Sequence, residues 1–137
     1  MAISRSMVKK PDLVLVYGDT NSTMAGALVA RKMGIPVAHV EAGLRSGNMK
    51  MPEEINRIVA DRLAALLLCP SDTAVQNLAA EGVTSGVHKT GDVMYDALLT
   101  FRPMALSAYP LGDMVAQEAG EFYLATLHRA ENTDDPV

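Results

Sequence analysis

The chain has 137 residues, a net charge of -4, 49% hydrophobic and 4% aromatic residues, and no tryptophan. That length allows a real hydrophobic core, and the negative balance argues against a general nucleic-acid or anionic-membrane surface. The shortage of aromatic residues removes the stacking platforms that hold single-stranded nucleic acid.

Residues 1–10 carry no apolar stretch of the kind a signal peptide needs, so a cytoplasmic location is expected. Ser4–Lys10 reads as the tail of a helix running into Pro11, and both ends of the chain look cut. Leu13-Val14-Leu15-Val16-Tyr17 is a continuous apolar run, as in a strand buried on both faces. Gly18-Asp19-Thr20-Asn21 turns the chain, and Ser22 to Met33 reads as a helix closed by Gly34. Ile35 to Val40 is the next predicted strand. Pro52 suits the first turn of a helix, with Glu53 and Glu54 against its positive end and Ile55, Ile58, Val59 and Leu63 as its apolar face.

Leu66 to Cys69 is a third strand, too short with its flanks to span a bilayer. Its Cys69 is the lone cysteine, a buried small hydrophobe that offers no disulfide or zinc framework. Ser71 caps a helix that runs to Glu81 and stops at Gly82. Val87 to Thr90 is a short strand, Asp92 opens a helix through Phe101, and Arg102 to Gly112 reads as a linker. Phe122 to Leu127 is a last strand. Strands alternating with helices of this length predict a parallel sheet in an α/β domain.

Ligands of such sheets bind beyond the C-terminal ends of the strands. That rule places Asp19, Glu41 and His128 on one edge, each after its own strand. Each also has a plain structural reading. Asp19 suits a turn or an N-cap as well as a catalytic role. Gly18 lets the backbone approach a ligand, and the following helix N-terminus can hold a phosphate. Glu41 is either the surface partner of Arg45 or a functional acid whose pKa burial would have to lift. Glu53 and Glu54 also fit ordinary first-turn acids. His39 reads as a packed strand residue and His88 as solvent-facing. His128 with Arg129 either holds a diphosphate through charge-assisted hydrogen bonds or forms a routine strand-end pair. His128 and Glu131 lack a third ligand, so no metal site is expected.

Taken in order, five motifs stop being independent. They are Gly18-Asp19-Thr20-Asn21-Ser22-Thr23, His39-Val40-Glu41-Ala42-Gly43-Leu44-Arg45, Pro52-Glu53-Glu54-Ile55-Asn56-Arg57, Thr90-Gly91-Asp92 and His128-Arg129-Ala130-Glu131-Asn132. The series resembles the non-hydrolysing UDP-N-acetylglucosamine 2-epimerase family over nearly the whole chain. The resemblance implies a Rossmann-like parallel sheet within a two-domain GT-B architecture. Residues 1–101 would be the later part of the first domain, 102–120 a linker and 121–137 the start of the second domain.

It also implies interconversion of UDP-N-acetylglucosamine and UDP-N-acetylmannosamine, an inversion at C2 by elimination and re-addition of UDP. No metal or redox cofactor is implied, no nucleic acid or membrane partner, and a homodimer for the full-length family. The implied setting is cell-envelope polysaccharide synthesis. By motif, Asp19, Glu41, Glu53 and His128 match the catalytic residues, and Gly18, Arg45, His128 and Arg129 match the substrate-binding ones. The family's first strand, its Gly-Thr-Arg-Pro-Glu loop and most of its second domain have no counterpart here. The expectation is therefore a fragment, inactive or nearly so by itself, with a non-catalytic UDP-sugar-binding fragment as an alternative. The spacer Asn48-Met49-Lys50-Met51 is closer to a branch acting on UDP-2,3-diacetamido glucuronic acid, which stands as the alternative substrate.

Overall fold

The computed structural model describes residues 9–108 together with residues 123, 125 and 126. The elements follow in the order β1 (Val14–Tyr17), α1 (Asn21–Lys32), β2 (Val37–Val40), α2 (Pro52–Leu63), β3 (Leu66–Cys69), α3 (Asp72–Ala80), β4 (Val87–Lys89) and α4 (Val93–Ala108). The strands form one four-stranded parallel sheet in the order β1-β2-β3-β4. This is the α/β Rossmann-like arrangement that the alternating pattern predicts. The chain divides into two compact units between Ala97 and Leu98, and the sheet belongs to the first. Among the described residues no helix is long and apolar enough to cross a membrane.

Local chemistry sets the helix ends. The Thr20 hydroxyl accepts from the Thr23 amide at 3.3 Å and caps α1. Pro52 begins α2, where its missing N–H costs nothing. The Ser71 hydroxyl accepts from the Ala74 amide at 3.2 Å and caps α3. The Asp92 carboxylate accepts from the Met94 amide at 2.8 Å at the start of α4. That last helix runs through Pro103 to Ala108, so residues 102–108 are helical where a linker is predicted. Met104, Ala105 and Leu106 are strong helix formers and carry the helix past the proline. The strand predicted over 122–127 falls partly outside the described residues, and Tyr123, Ala125 and Thr126 are not in a strand. The predicted helix tail over Ser4–Lys10 lies mostly outside the described residues.

Register decides which residues face the helices. Val16, His39, Leu67 and Val87 are aligned across the sheet in one row. Val16 and Val37 pack against Ala27 and Ala30 of α1 and Ala60 of α2. Leu67 and Cys69 pack against Ala74 and Leu78 of α3. All three helices therefore cover the same face, as right-handed crossovers between consecutive strands require. The opposite face carries Leu15 and Tyr17, which are 48% and 57% exposed. Thus, among the described residues, β1 is not buried on both faces as its composition suggests, because it is the first strand in the sheet order with helices on one side.

The face of α2 also differs from expectation. Ile55 is exposed, whereas Glu54, Asn56, Ala60 and Asp61 are buried. This helix turns polar groups inward because each of them finds a partner, and among the described residues no buried side-chain polar atom is left unpaired.

Candidate active site

The turn after β1 begins with Gly18 at φ +62, a left-handed conformation that glycine adopts without steric cost. Its N–H donates to the Val40 carbonyl at 3.1 Å, and its carbonyl accepts from His39 Nε2 at 2.8 Å. A side chain here would point at the next strand end: a Cβ on Gly18 would lie 3.5 Å from Glu41 Oε2. Gly18 and the Glu41 carboxylate are thus direct neighbours.

Glu41 is the outlier of the backbone. Its φ is +68, and it is the one non-glycine residue with positive φ among the described residues. A left-handed conformation costs a side-chain-bearing residue about 1–2 kcal/mol, and it persists where the surroundings enforce it. The half-buried Glu41 carboxylate has no hydrogen bond or ion pair with the described residues. The pairing of Glu41 with Arg45 that the sequence suggests does not form.

Asp19 is held from α2. Arg57 Nη2 donates to Asp19 Oδ2 at 2.5 Å, and Asn56 Nδ2 donates to the Asp19 carbonyl at 2.8 Å. The same Asn56 amide reaches Asn21 Oδ1 at 3.0 Å, so it also fixes the start of α1. Thr23, one turn into that helix, donates its hydroxyl back to the Tyr17 carbonyl. Asp19 therefore presents a carboxylate in fixed orientation, one oxygen of which is already engaged.

The two glutamates of α2 separate cleanly. Glu53 is half-buried at the helix start. Glu54 is buried and wrapped by donors. Its Oε2 accepts from the Ser46 amide at 2.9 Å, the Ser46 hydroxyl at 3.0 Å and Arg57 Nη1 at 3.0 Å, and its Oε1 accepts from the Gly47 amide at 2.9 Å. Burial works against its charge, but the two amides, the hydroxyl and Arg57 outweigh it and hold its pKa below the ordinary 4.5. Glu54 thus folds the loop after Arg45 onto α2.

Arg45 points away from Glu41. Its Nε and Nη2 donate to Glu81 at 2.6 and 2.9 Å, and its Nη1 donates to the Leu44 carbonyl at 2.7 Å and lies 2.8 Å from Asp61 Oδ2. Partial burial opposes its charge, yet Glu81 and Asp61 outweigh it and raise the guanidinium pKa further. Most of its donors are spent on protein, which makes Arg45 a brace in this geometry. His39 is fully buried, with Nδ1 2.6 Å from Asp61 Oδ1, as a packed strand residue should be. His88 is exposed as expected, and Thr90 begins the loop after β4, its amide bonded to the Cys69 carbonyl. His128 and Arg129 lie outside the described residues. Among the described residues no cluster of three or more His, Cys, Asp or Glu side chains is arranged to hold a metal ion.

Two adjacent strand ends thus offer carboxylates of different character. Asp19 is fixed and charge-paired, while Glu41 is strained, unpaired among the described residues and set beside a glycine turn. Such a pair can move a proton on a bound molecule while a fixed negative charge stands beside it.

A family profile described as UDP-N-acetylglucosamine 2-epimerase matches residues 4–137. The chain belongs to the UDP-N-acetylglucosamine 2-epimerase family. It is 57% identical over 132 residues to a UDP-2,3-diacetamido-2,3-dideoxy-D-glucuronate 2-epimerase of Pseudomonas aeruginosa, covering 94% of this chain and 36% of that protein. It is 42% identical over 139 residues to a UDP-N-acetylglucosamine 2-epimerase of Methanococcus maripaludis, covering 98% of this chain and 38% of that one. The fold matches the crystal structure of Methanocaldococcus jannaschii UDP-GlcNAc 2-epimerase in complex with UDP-GlcNAc and UDP. That match has a TM-score of 0.84 at 42% identity and covers 98% of this chain and 38% of the other. The chain thus spans little more than a third of the length of these relatives.

Within this family segment, three polar residues, Asn56 and Asp61 buried and Arg57 partly so, carry roles that the sequence does not reveal. Asn56 and Arg57 stand inside a quoted motif, yet nothing in their spacing says that both reach Asp19. Asp61 carries no motif at all. Its only signal is a carboxylate on the helix face that also carries Glu54 and Arg57, at i, i+3 and i+7.

Proposed function

We propose that this chain supplies one wall of the active site of a UDP-sugar 2-epimerase, with Glu41 moving the proton at C2. The observation that carries this reading is the Glu41 carboxylate. It is strained, unpaired among the described residues and poised beside Gly18 at the strand ends. Asp19 and Glu54 are both tied by Arg57, whereas Glu41 keeps its lone pairs for a ligand. Asp19, with its fixed charge, and Glu53 complete the carboxylate set, and Gly18 allows close approach of the nucleotide sugar. His128 and Arg129 are assigned to the departing UDP, whose negative charge they would balance. The whole protein is read as a cytoplasmic GT-B homodimer serving cell-envelope polysaccharide synthesis, without a metal or redox cofactor.

Two sugars compete. UDP-N-acetylglucosamine fits most of the relatives named for an epimerase activity. The diacetamido glucuronate derivative is favoured by the higher identity to the Pseudomonas aeruginosa protein, 57% against 42%.

The test places this chain in the matching segment of the Pseudomonas aeruginosa protein and, separately, of the Methanococcus maripaludis protein. Epimerisation of both UDP-sugars is followed by NMR. Glu41→Gln should lower turnover by about 10²–10⁴-fold. Near-normal turnover in that variant would remove Glu41 from the chemistry. Activity in only one host, on that host's sugar, would decide between the two substrates.

A further inference from the structure

Side-chain contacts on both flanks of Glu41 lead to one residue outside the motifs, beside the bonds from Asn77 Nδ2 to the Gly43 carbonyl and from the Ala42 amide to the Leu68 carbonyl. Asp61 lies in α2, and its side chain is fully buried. Its Oδ1 takes His39 Nδ1 at 2.6 Å, and its Oδ2 takes the Gly43 amide at 3.1 Å and Arg45 Nη1 at 2.8 Å. His39 stands two residues before Glu41 and Gly43 two residues after it. The segment that carries the left-handed Glu41 is therefore gripped on both sides by the two oxygens of a single carboxylate. From the other side of the His39 ring, Nε2 holds the Gly18 carbonyl at 2.8 Å. The ring thus bridges α2 to the turn after β1 through its two nitrogens.

The surroundings close the cluster. Arg45 bridges Asp61 to Glu81, so the buried carboxylate is compensated by a guanidinium that is itself paired. Gly43 has φ +80, and a Cβ there would come within 2.3 Å of the Ala74 carbonyl oxygen, so the segment has no room to swing towards α3. The strain at residue 41 needs a restraint on each side, and these contacts provide it.

We propose that Asp61 is a positioning residue of this site: through His39 and the Gly43 amide it aims the Glu41 carboxylate over Gly18 without meeting the substrate itself. The proposal rests on the reading of Glu41 as the acid/base group.

Asp61→Ala is the informative change. It removes both carboxylate oxygens, and with them the bonds to His39 Nδ1 and to the Gly43 amide. Both grips on the Glu41 segment are lost, whichever tautomer His39 adopts. The experiment uses this chain seated in the matching segment of the Pseudomonas aeruginosa protein, with kcat and KM measured separately. A misplacement of about 1 Å can cost on the order of 10²-fold in rate, so kcat should fall about 10–100-fold with KM changed less than about 3-fold. A kcat within about 3-fold of the unsubstituted protein, or a loss confined to KM, would overturn the proposal.

If Asp61→Ala does not fold, His39→Gln breaks the same link from its other end and leaves Asp61 paired with Arg45. The same kcat loss is expected, and its absence overturns the proposal equally. If the unsubstituted hybrid folds but turns over no UDP-sugar, the functional reading fails separately. Positioning is then decided on this chain alone, from the NMR backbone angle of residue 41 with and without Asp61→Ala. Departure of residue 41 from the left-handed region supports the proposal, and an unchanged angle refutes it.

Discussion

Replacing Glu54 by glutamine tests whether a buried carboxylate holds the loop of Ser46 and Gly47. The carboxylate accepts four hydrogen bonds, three on Oε2 and one on Oε1. A glutamine has one carbonyl oxygen, which would take the Ser46 and Arg57 side. Its NH₂ would then face the Gly47 N–H, donor against donor. Leaving that amide unpaired costs about 1–3 kcal/mol. The bonds that remain lose their charge assistance, about 1 kcal/mol each for Arg57 and the Ser46 amide. Partial exposure of Ser46 reduces its share, so the expected loss is about 3 kcal/mol at pH 7, near the low end for breaking a buried pair.

The pH dependence has a definite sign. Glu54 has a folded-state pKa below its ordinary 4.5. Its stabilisation is therefore complete above about 4.5 and is lost as pH falls through the lower folded value. Glutamine does not titrate, so the gap between the two proteins should narrow below about pH 4.5. Urea unfolding followed by far-ultraviolet circular dichroism at pH 7 and pH 3.5 measures both quantities. A loss under about 1 kcal/mol at pH 7, or an undiminished gap at pH 3.5, would refute the reasoning.

Three further outcomes follow from the same structure. Gly43→Ala should cost about 2–4 kcal/mol, since it adds a clash with the Ala74 carbonyl to the left-handed penalty. Gly34→Ala, at φ +67 with nothing within 4 Å, should cost only about 1–2 kcal/mol, and equal unfolding midpoints for the two variants would contradict this. Glu41→Gly should leave stability unchanged or raise it by up to about 1 kcal/mol, because relief of the left-handed strain offsets the added chain entropy. A clear loss of stability would mean that the Glu41 side chain supports the fold. Burial, and secondarily the Asp61 charge, pushes the Cys69 thiol up, so iodoacetamide at pH 8 should label it only after denaturant is added. Rapid labelling of the folded chain would argue against its burial.

The amino-acid sequence by itself determined the class of fold and the order of its elements. Strand runs such as Leu66–Cys69 and helix starts such as Pro52 and Ser71 act over a few residues, so they are legible along the chain, whereas the cap of α1 falls on Thr20 and not on Asp19. The motifs also placed Asp19 and Glu41 at strand ends, because in a parallel sheet each strand ends at the same edge. The proline at 103 was misleading, since the break it suggests was outweighed by the helix formers around it.

Tertiary structure alone decided the partners. Arg45 could have paired with Glu41 four residues away, yet it pairs with Asp61 and Glu81, which lie 16 and 36 positions along the chain. Apolar spacing pointed to Ile55 as a core residue of α2, yet the packed structure buries Glu54 and Asp61 instead. A buried charge is tolerable only where its donors converge in space, and that convergence has no signature in local sequence. The same holds for Glu41. Its identity was visible in the motif, but its left-handed backbone arises from what His39 and Gly43 meet across the fold.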